Sequence, residues 1–201
     1  MDDIFNLNDS QLTPMRGSLL VAKPTVDGDD FFCRAVILLM GHDSDGSMGL
    51  VLNNDTTLTL DKVLQGELEN VELVSDTPVY LGGPVQPDML FFVHTLGNDV
   101  IPDSEEIVSG LYFGGNFEAL KRYVDGGGEI EGKIKFIMGY SGWSAGQLQD
   151  EIGHGTWAVL DNHDIDTLMT GSFMDTWRWA VKQFGSRYRL WLNCPIDLSD
   201  N

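Results

Sequence analysis

The sequence predicts an α+β fold on a largely antiparallel sheet, and three observations carry that prediction. Apolar runs of strand length come in pairs joined by turn residues. Capped helices are interspersed without regular βαβ alternation. No repeat and no Pro- or Ser-rich linker divides the 201 residues. A hydrophobic share of 42% over this length suits a single domain spanning 1–201, able to bury roughly 70% of its unfolded surface without metal or disulfide. Residues 1–11, acidic and polar, are expected as a loose N-terminal arm.

The elements follow in order. Residues 17–22 (Gly-Ser-Leu-Leu-Val-Ala) are expected as a strand ended by Lys23-Pro24. Segments 34–40 and 48–52 form a hairpin around the turn-rich 41–46 (Gly-His-Asp-Ser-Asp-Gly). Thr59 caps a short helix carrying Leu60, Val63 and Leu64, stopped by Gly66. Apolar runs at 79–81 and 89–94 flank Gly82-Gly83-Pro84, a strand–turn–strand signature. Asn116 caps a helix with Phe117, Leu120, Tyr123 and Val124 on one face, ended by Gly126-Gly127-Gly128. Segments 134–140 and 157–160 are strands. The last helix opens on a capping box of Ser172 and Asp175, with Phe173, Trp177, Ala180, Val181 and Phe184 on its buried face until Gly185.

Charge narrows the partners. With 31 acidic and 12 basic side chains the formal charge is −19, which repels phosphate backbones and anionic lipid and disfavours direct DNA binding. The stretch 176–196 reverses that balance, placing Arg178, Lys182, Arg187 and Arg189 among Trp177, Trp179, Phe184, Tyr188 and Trp191 without one acidic residue. Such interleaving can bind single-stranded nucleic acid. Helical spacing instead assigns Arg178 and Lys182 to a solvated face. The N-terminal stretch has no basic or apolar leader character, and no apolar run is long enough to span a bilayer. The expectation is a cytoplasmic protein, not membrane-bound, with Cys33 and Cys194 reduced and Cys33 packed as a small hydrophobe.

Few motifs carry chemistry. Gly139-Tyr140-Ser141-Gly142-Trp143 lacks the second glycine of a nucleophile elbow. Asp43-Ser44-Asp45-Gly46 is a fragment of a calcium loop without its remaining ligands, and reads as a hairpin tip. The histidines show no i,i+4 pair and no cysteine companions, so neither a metal nor a cofactor is expected. Segment 110–116 reads as a loop entering a helix, where Glu118 would oppose a phosphate. The polar groups left as ligand-binding candidates are His42, His94, Tyr140, Ser141 and Gln147. Two functions fit them: a non-catalytic module for an unidentified protein or small-molecule partner, or an enzyme, such as a hydrolase, whose site assembles only in space. Around 139–148 the expectation is structural. The strand ends at Tyr140, and Gly142 allows a sharp turn into a helix capped by Ser144, with Gln147 completing a capping box and Trp143 and Leu148 forming a hydrophobic staple.

Together these segments resemble the AlgH/YqgE family of small bacterial proteins. The matching pieces are Gly17-x-Leu-Leu-Val-Ala22-x-Pro24, Phe31-Phe32-x-Arg34-x-Val36 leading to His42, Gly46-Ser-Met-Gly-Leu-Val-Leu-Asn53, Pro78-Val-Tyr-Leu-Gly-Gly-Pro-Val85, and Gly139-Tyr-Ser-Gly-Trp-Ser-Ala-Gly-Gln-Leu148, followed by Trp157. Their order and spacing hold from about residue 12 through the final helix. The resemblance implies a bent, mostly antiparallel sheet forming a pseudo-barrel flanked by helices. It implies no catalytic residue, and it carries a family label of transcriptional regulation in polysaccharide synthesis. The sequence departs from the family at Asn54-Asp55, where a basic residue and proline usually follow Asn53, and in 193–201, which replaces a basic, glycine-rich tail.

Overall fold

A computed structural model describes residues 12–24, 31–69 and 74–194; the expected arm at 1–11 lies outside them. In chain order the strands are β1 (Leu19–Ala22), β2 (Val36–His42), β3 (Gly46–Val51), β4 (Val79–Leu81), β5 (Val85–His94), β6 (Glu105–Val108), β7 (Leu111–Phe113), β8 (Ile134–Ser144) and β9 (Trp157–Leu160). The helices are α1 (Leu60–Leu64), α2 (Phe117–Asp125), α3 (Gln147–Gly153), α4 (Ile165–Thr170) and α5 (Phe173–Gln183), with a 3-10 helix at Ser186–Asn193. The fold is α+β. Its nine strands form one unclosed sheet in the order β6-β7-β5-β8-β3-β2-β1-β9, antiparallel except where β4 lies parallel to β8.

Burial follows the two-residue period of the strands. All four residues of β1 are fully buried, because both faces of the sheet are covered there. Leu19 and Val21 face a core shared with Trp177, Ala180 and Val181 of α5. Leu20 and Ala22 face a second core with Trp143, Leu148 and Trp157. The α5 helix begins as its sequence predicts: the Asp175 amide donates to Ser172 Oγ at 3.3 Å, and that hydroxyl donates to the Asp175 carboxylate at 2.7 Å. Trp177 Nε1 then donates to the Ala22 carbonyl at 2.8 Å, tying helix to sheet. Arg178 and Lys182 are exposed on the opposite face, so the basic–aromatic alternation within this helix is amphipathic packing.

Several elements differ from the sequence reading, among them four with a clear physical reason. Gly82-Gly83-Pro84 does not close a hairpin: β4 and β5 pair with the same stretch, Phe136 to Met138, on opposite edges of β8. Segment 110–116 contains β7, because Leu111 is buried against the core while β5 and β6 take its two edges. The β8 strand does not stop at Tyr140 but runs on through Ser144, since Gly46 to Gly49 of β3 supply a fresh partner for Ser141 to Ser144. The short α4 helix, capped by Asp164 Oδ1 on the Thr167 amide at 3.2 Å, has too few residues to show helical periodicity. Cys33 and Cys194 are free thiols, and Cys33 is half-buried with its thiol 3.3 Å from the Pro24 carbonyl rather than fully packed away.

Asn53 joins three of these parts. Fully buried, it accepts the Val36 amide at 2.8 Å and donates to the Arg34 carbonyl at 3.0 Å and the Phe173 carbonyl at 2.9 Å. It thereby fixes the entry to β2, the exit from β3 and the start of α5. Asn53→Ala strands those backbone groups away from water and is expected to destabilise the fold by about 3 kcal/mol, measured as a lower urea midpoint at unchanged m-value.

Candidate functional site

The second half of β8 lines an open groove of about 500 Å³, together with Gly41, Asp43, Gly46, Ser47 and Met48 of the β2–β3 hairpin and Val85 at the start of β5. Strand register assembles it. Met48 pairs with Gly142, Ser47 with Trp143, and Val85 with Tyr140. Alternation along β8 then separates the motif residues: Ser141 and Trp143 are buried, while Tyr140 is half-buried and Gly142 is exposed. Gly41, Gly46 and Gly142 leave main chain bare at the groove, and Met48, Val85 and Tyr140 give it apolar surface.

The five sequence candidates fall in different places. Tyr140 lines the groove, with its ring edge-on to Phe91 at 6.2 Å between centroids. Ser141 lies beneath it, 1% exposed, and donates to the Gly82 carbonyl at 3.0 Å. Its hydroxyl is committed to the main chain and shielded from solvent. His42 sits at the hairpin end, with Nδ1 2.7 Å from Ser47 Oγ and Nε2 2.9 Å from Gln149 Nε2. His42 thereby links the hairpin to α3 through both of its ring nitrogens.

Gln147 braces the turn after β8. Its Oε1 accepts the Ser144 amide at 3.1 Å and the Ser144 hydroxyl at 2.9 Å, while its Nε2 donates to Glu151 at 2.9 Å. That is one arm of the expected capping box. The other is missing: Gly146, at φ 78°, holds the cap position of α3 because the turn needs a left-handed residue there. Trp143 is 7% exposed and shares its core with Leu148, as a staple requires.

His94 belongs to another part of the sheet. It pairs with Ile134, six residues or about 20 Å along β8 from Tyr140. Fully buried, its Nδ1 accepts the Leu96 amide at 3.3 Å, leaving Nε2 to donate to the Gly114 carbonyl at 3.1 Å and Ser104 Oγ at 2.9 Å. Burial holds its pKa below the usual histidine value, and the bond to Gly114 opposes that shift. Its ring thus joins the end of β5 to the loops at Ser104 and Gly114. At the hairpin tip, Asp43 Oδ1 accepts the Asp45 and Gly46 amides at 2.8 and 3.2 Å, which uses this carboxylate to shape the turn.

Sequence reasoning missed Ser47, Gln149 and Glu151. Glu151 is the most consequential: its Oε2 accepts both indoles, Trp143 Nε1 at 2.8 Å and Trp157 Nε1 at 2.7 Å, and its Oε1 accepts Gln147. The local signal was Gln147 one helical turn before Glu151; the tryptophans converge only in the folded chain. Glu151→Ala orphans two buried indole N–H groups and is expected to cost about 2–3 kcal/mol, read by tryptophan emission during urea unfolding. Glu151→Gln should recover part of that loss, because its amide oxygen still accepts.

The comparisons with known proteins agree with this architecture. A family model described as AlgH-like matches residues 19–189. A UPF0301 protein of Parabacteroides distasonis is 42% identical over 97% of this chain and 96% of its own length. One from Bacteroides fragilis is 37% identical over 96% and 94%. The solution structure of the AlgH protein from Pseudomonas aeruginosa superposes with a TM-score of 0.70 at 26% identity, covering 94% of this chain and 98% of that one. The crystal structure of protein DIP2367 from Corynebacterium diphtheriae shares the fold, with a TM-score of 0.76 at 21% identity over 95% and 98%. The chain belongs to the AlgH-like family.

Proposed function

We propose that the protein is a non-catalytic binding or regulatory module of the cytoplasm whose partner, a protein segment or a small molecule, docks in the β8 groove. One observation carries this reading: three motif segments far apart in sequence, 46–53, 78–85 and 139–148, each contribute to the same groove. Bare glycine backbone beside a methionine and a tyrosine suits adaptable, largely apolar recognition with main-chain hydrogen bonds for orientation. The burial of Ser141, whose hydroxyl donates to the Gly82 carbonyl, supports binding over hydrolysis. The regulatory part of the reading rests on the label that the family resemblance carries. No helix among the described residues is long and apolar enough to cross a membrane, which accords with a module acting away from the bilayer.

Amide chemical shifts during a screen of pooled metabolites and short peptides test the groove. Binding should move the signals of Met48, Tyr140 and Gly142 together. Gly142→Val should abolish that response while shifting the melting temperature by no more than about 2 °C, because a Cβ at Gly142 meets the Tyr140 ring at an ordinary 3.4 Å. Shifts that cluster elsewhere, or that survive Gly142→Val, would remove the groove from consideration.

A further inference from the structure

A cavity of about 540 Å³ lies beside the start of β8 and shares no wall residue with the groove. Tyr80 of β4, Ile134 of β8 and Met169 of α4 give it apolar walls. Lys135 belongs to the same wall but is enclosed. Its Nζ donates to the Leu52 carbonyl at 2.8 Å and the Leu168 carbonyl at 2.7 Å, and sits over the Tyr80 ring at 4.2 Å from the centroid. The other charged groups of the lining are Asp76, Glu129 and Glu131, all exposed, so they stand on the solvent side. None of the three forms an ion pair among the described residues. Three carboxylates against one enclosed ammonium leave the cavity net negative.

We propose that this cavity binds a small organic cation: an amidine, guanidine or amine carried on an aromatic or alkyl body. Its volume is that of an ordinary small-molecule site. The apolar walls take the body, and removing that surface from water supplies affinity without direction. The carboxylates supply the direction. Lys135 already occupies a face of the Tyr80 ring, so that face is closed to the ligand's charged head. The head therefore stays at the mouth, among Asp76, Glu129 and Glu131, where it keeps part of its hydration and gains their opposite charge. A neutral ligand of the same shape forgoes that attraction, and an anionic one is repelled by it. A cation without a body gains only the weak, screened attraction that any acidic surface offers. The ligand that satisfies walls and mouth together is both apolar and positive.

Probes of one shape and different charge test this on the intact chain, read by the amide chemical shifts of Gly132, Ile134 and Thr170. Benzamidine should move these signals saturably, with a Kd at least about tenfold below that of benzamide. Benzoate should leave them in place at the same concentration. Methylguanidine, a charged head without the ring, should bind at least about tenfold more weakly than benzamidine. Glu129→Gln combined with Glu131→Gln should bring benzamidine to within about threefold of benzamide. Both side chains are exposed, so the double substitution should shift the melting temperature by no more than about 2 °C. Equal affinity for benzamide would show that charge plays no part, and equal affinity for methylguanidine would reduce the site to acidic surface. Either result would overturn the proposal, as would a benzamidine preference that survives the double substitution, shifts centred outside the cavity, or no saturable shift at all.

Discussion

The fold depends on one close crossing of two backbones, Gly82-Gly83 over Gly139-Tyr140. The β4 and β5 strands occupy opposite edges of the same stretch of β8, so the short link between them must pass across β8 itself. The link is held by Gly82, whose amide donates to the Met138 carbonyl at 2.7 Å and whose carbonyl accepts Val51 N and Ser141 Oγ, both at 3.0 Å. No side chain fits between. A Cβ on Gly83 would lie 2.0 Å from the Tyr140 carbonyl carbon, and one on Gly139 would lie 2.4 Å from the Gly83 oxygen. Gly139 is also left-handed, at φ 68°.

The crossing places the groove and the lysine cavity at two stations along one strand. Beyond it, β8 changes partner to β3 and presents Tyr140 and Gly142 outward over the hairpin. Before it, the strand carries Lys135, with Tyr80 of β4 alongside. Glu151 and Asn53 then secure the flanks, one by gathering two indoles against α3, the other by tying both strands of the β2–β3 hairpin to α5. The polar side chains of the motif segments are thus largely spent on architecture. What lines the groove besides backbone is mainly Met48, Val85 and Tyr140, with Asp43 and Ser47 at the hairpin.

Local signals made much of this legible. Apolar alternation and caps located β1, the β2–β3 hairpin, β9, α2 and α5, because those features are written within a few consecutive residues. Gly82-Gly83-Pro84 was misleading because a tight turn and a backbone crossing make the same demand, the absence of a Cβ. Ser141 and His42 stood out by residue type, whereas their roles depend on strand register: one residue of alternation turns Ser141 inward, and pairing across the hairpin gives His42 its serine. Lys135 carried no signal at all. A lysine in an apolar strand gains meaning only once Leu52, Leu168 and Tyr80, from three separate segments, close around it.

The crossing is tested most directly by the thermal unfolding of Gly83→Ala. With its Cβ against Tyr140 backbone that cannot yield without breaking β8, the substitution should cost about 3 kcal/mol or more, lowering the melting temperature by roughly 6–12 °C for a chain of this size or abolishing cooperative unfolding. A melting temperature within about 2 °C of the parent protein would show that the two backbones do not need this approach and would contradict the account.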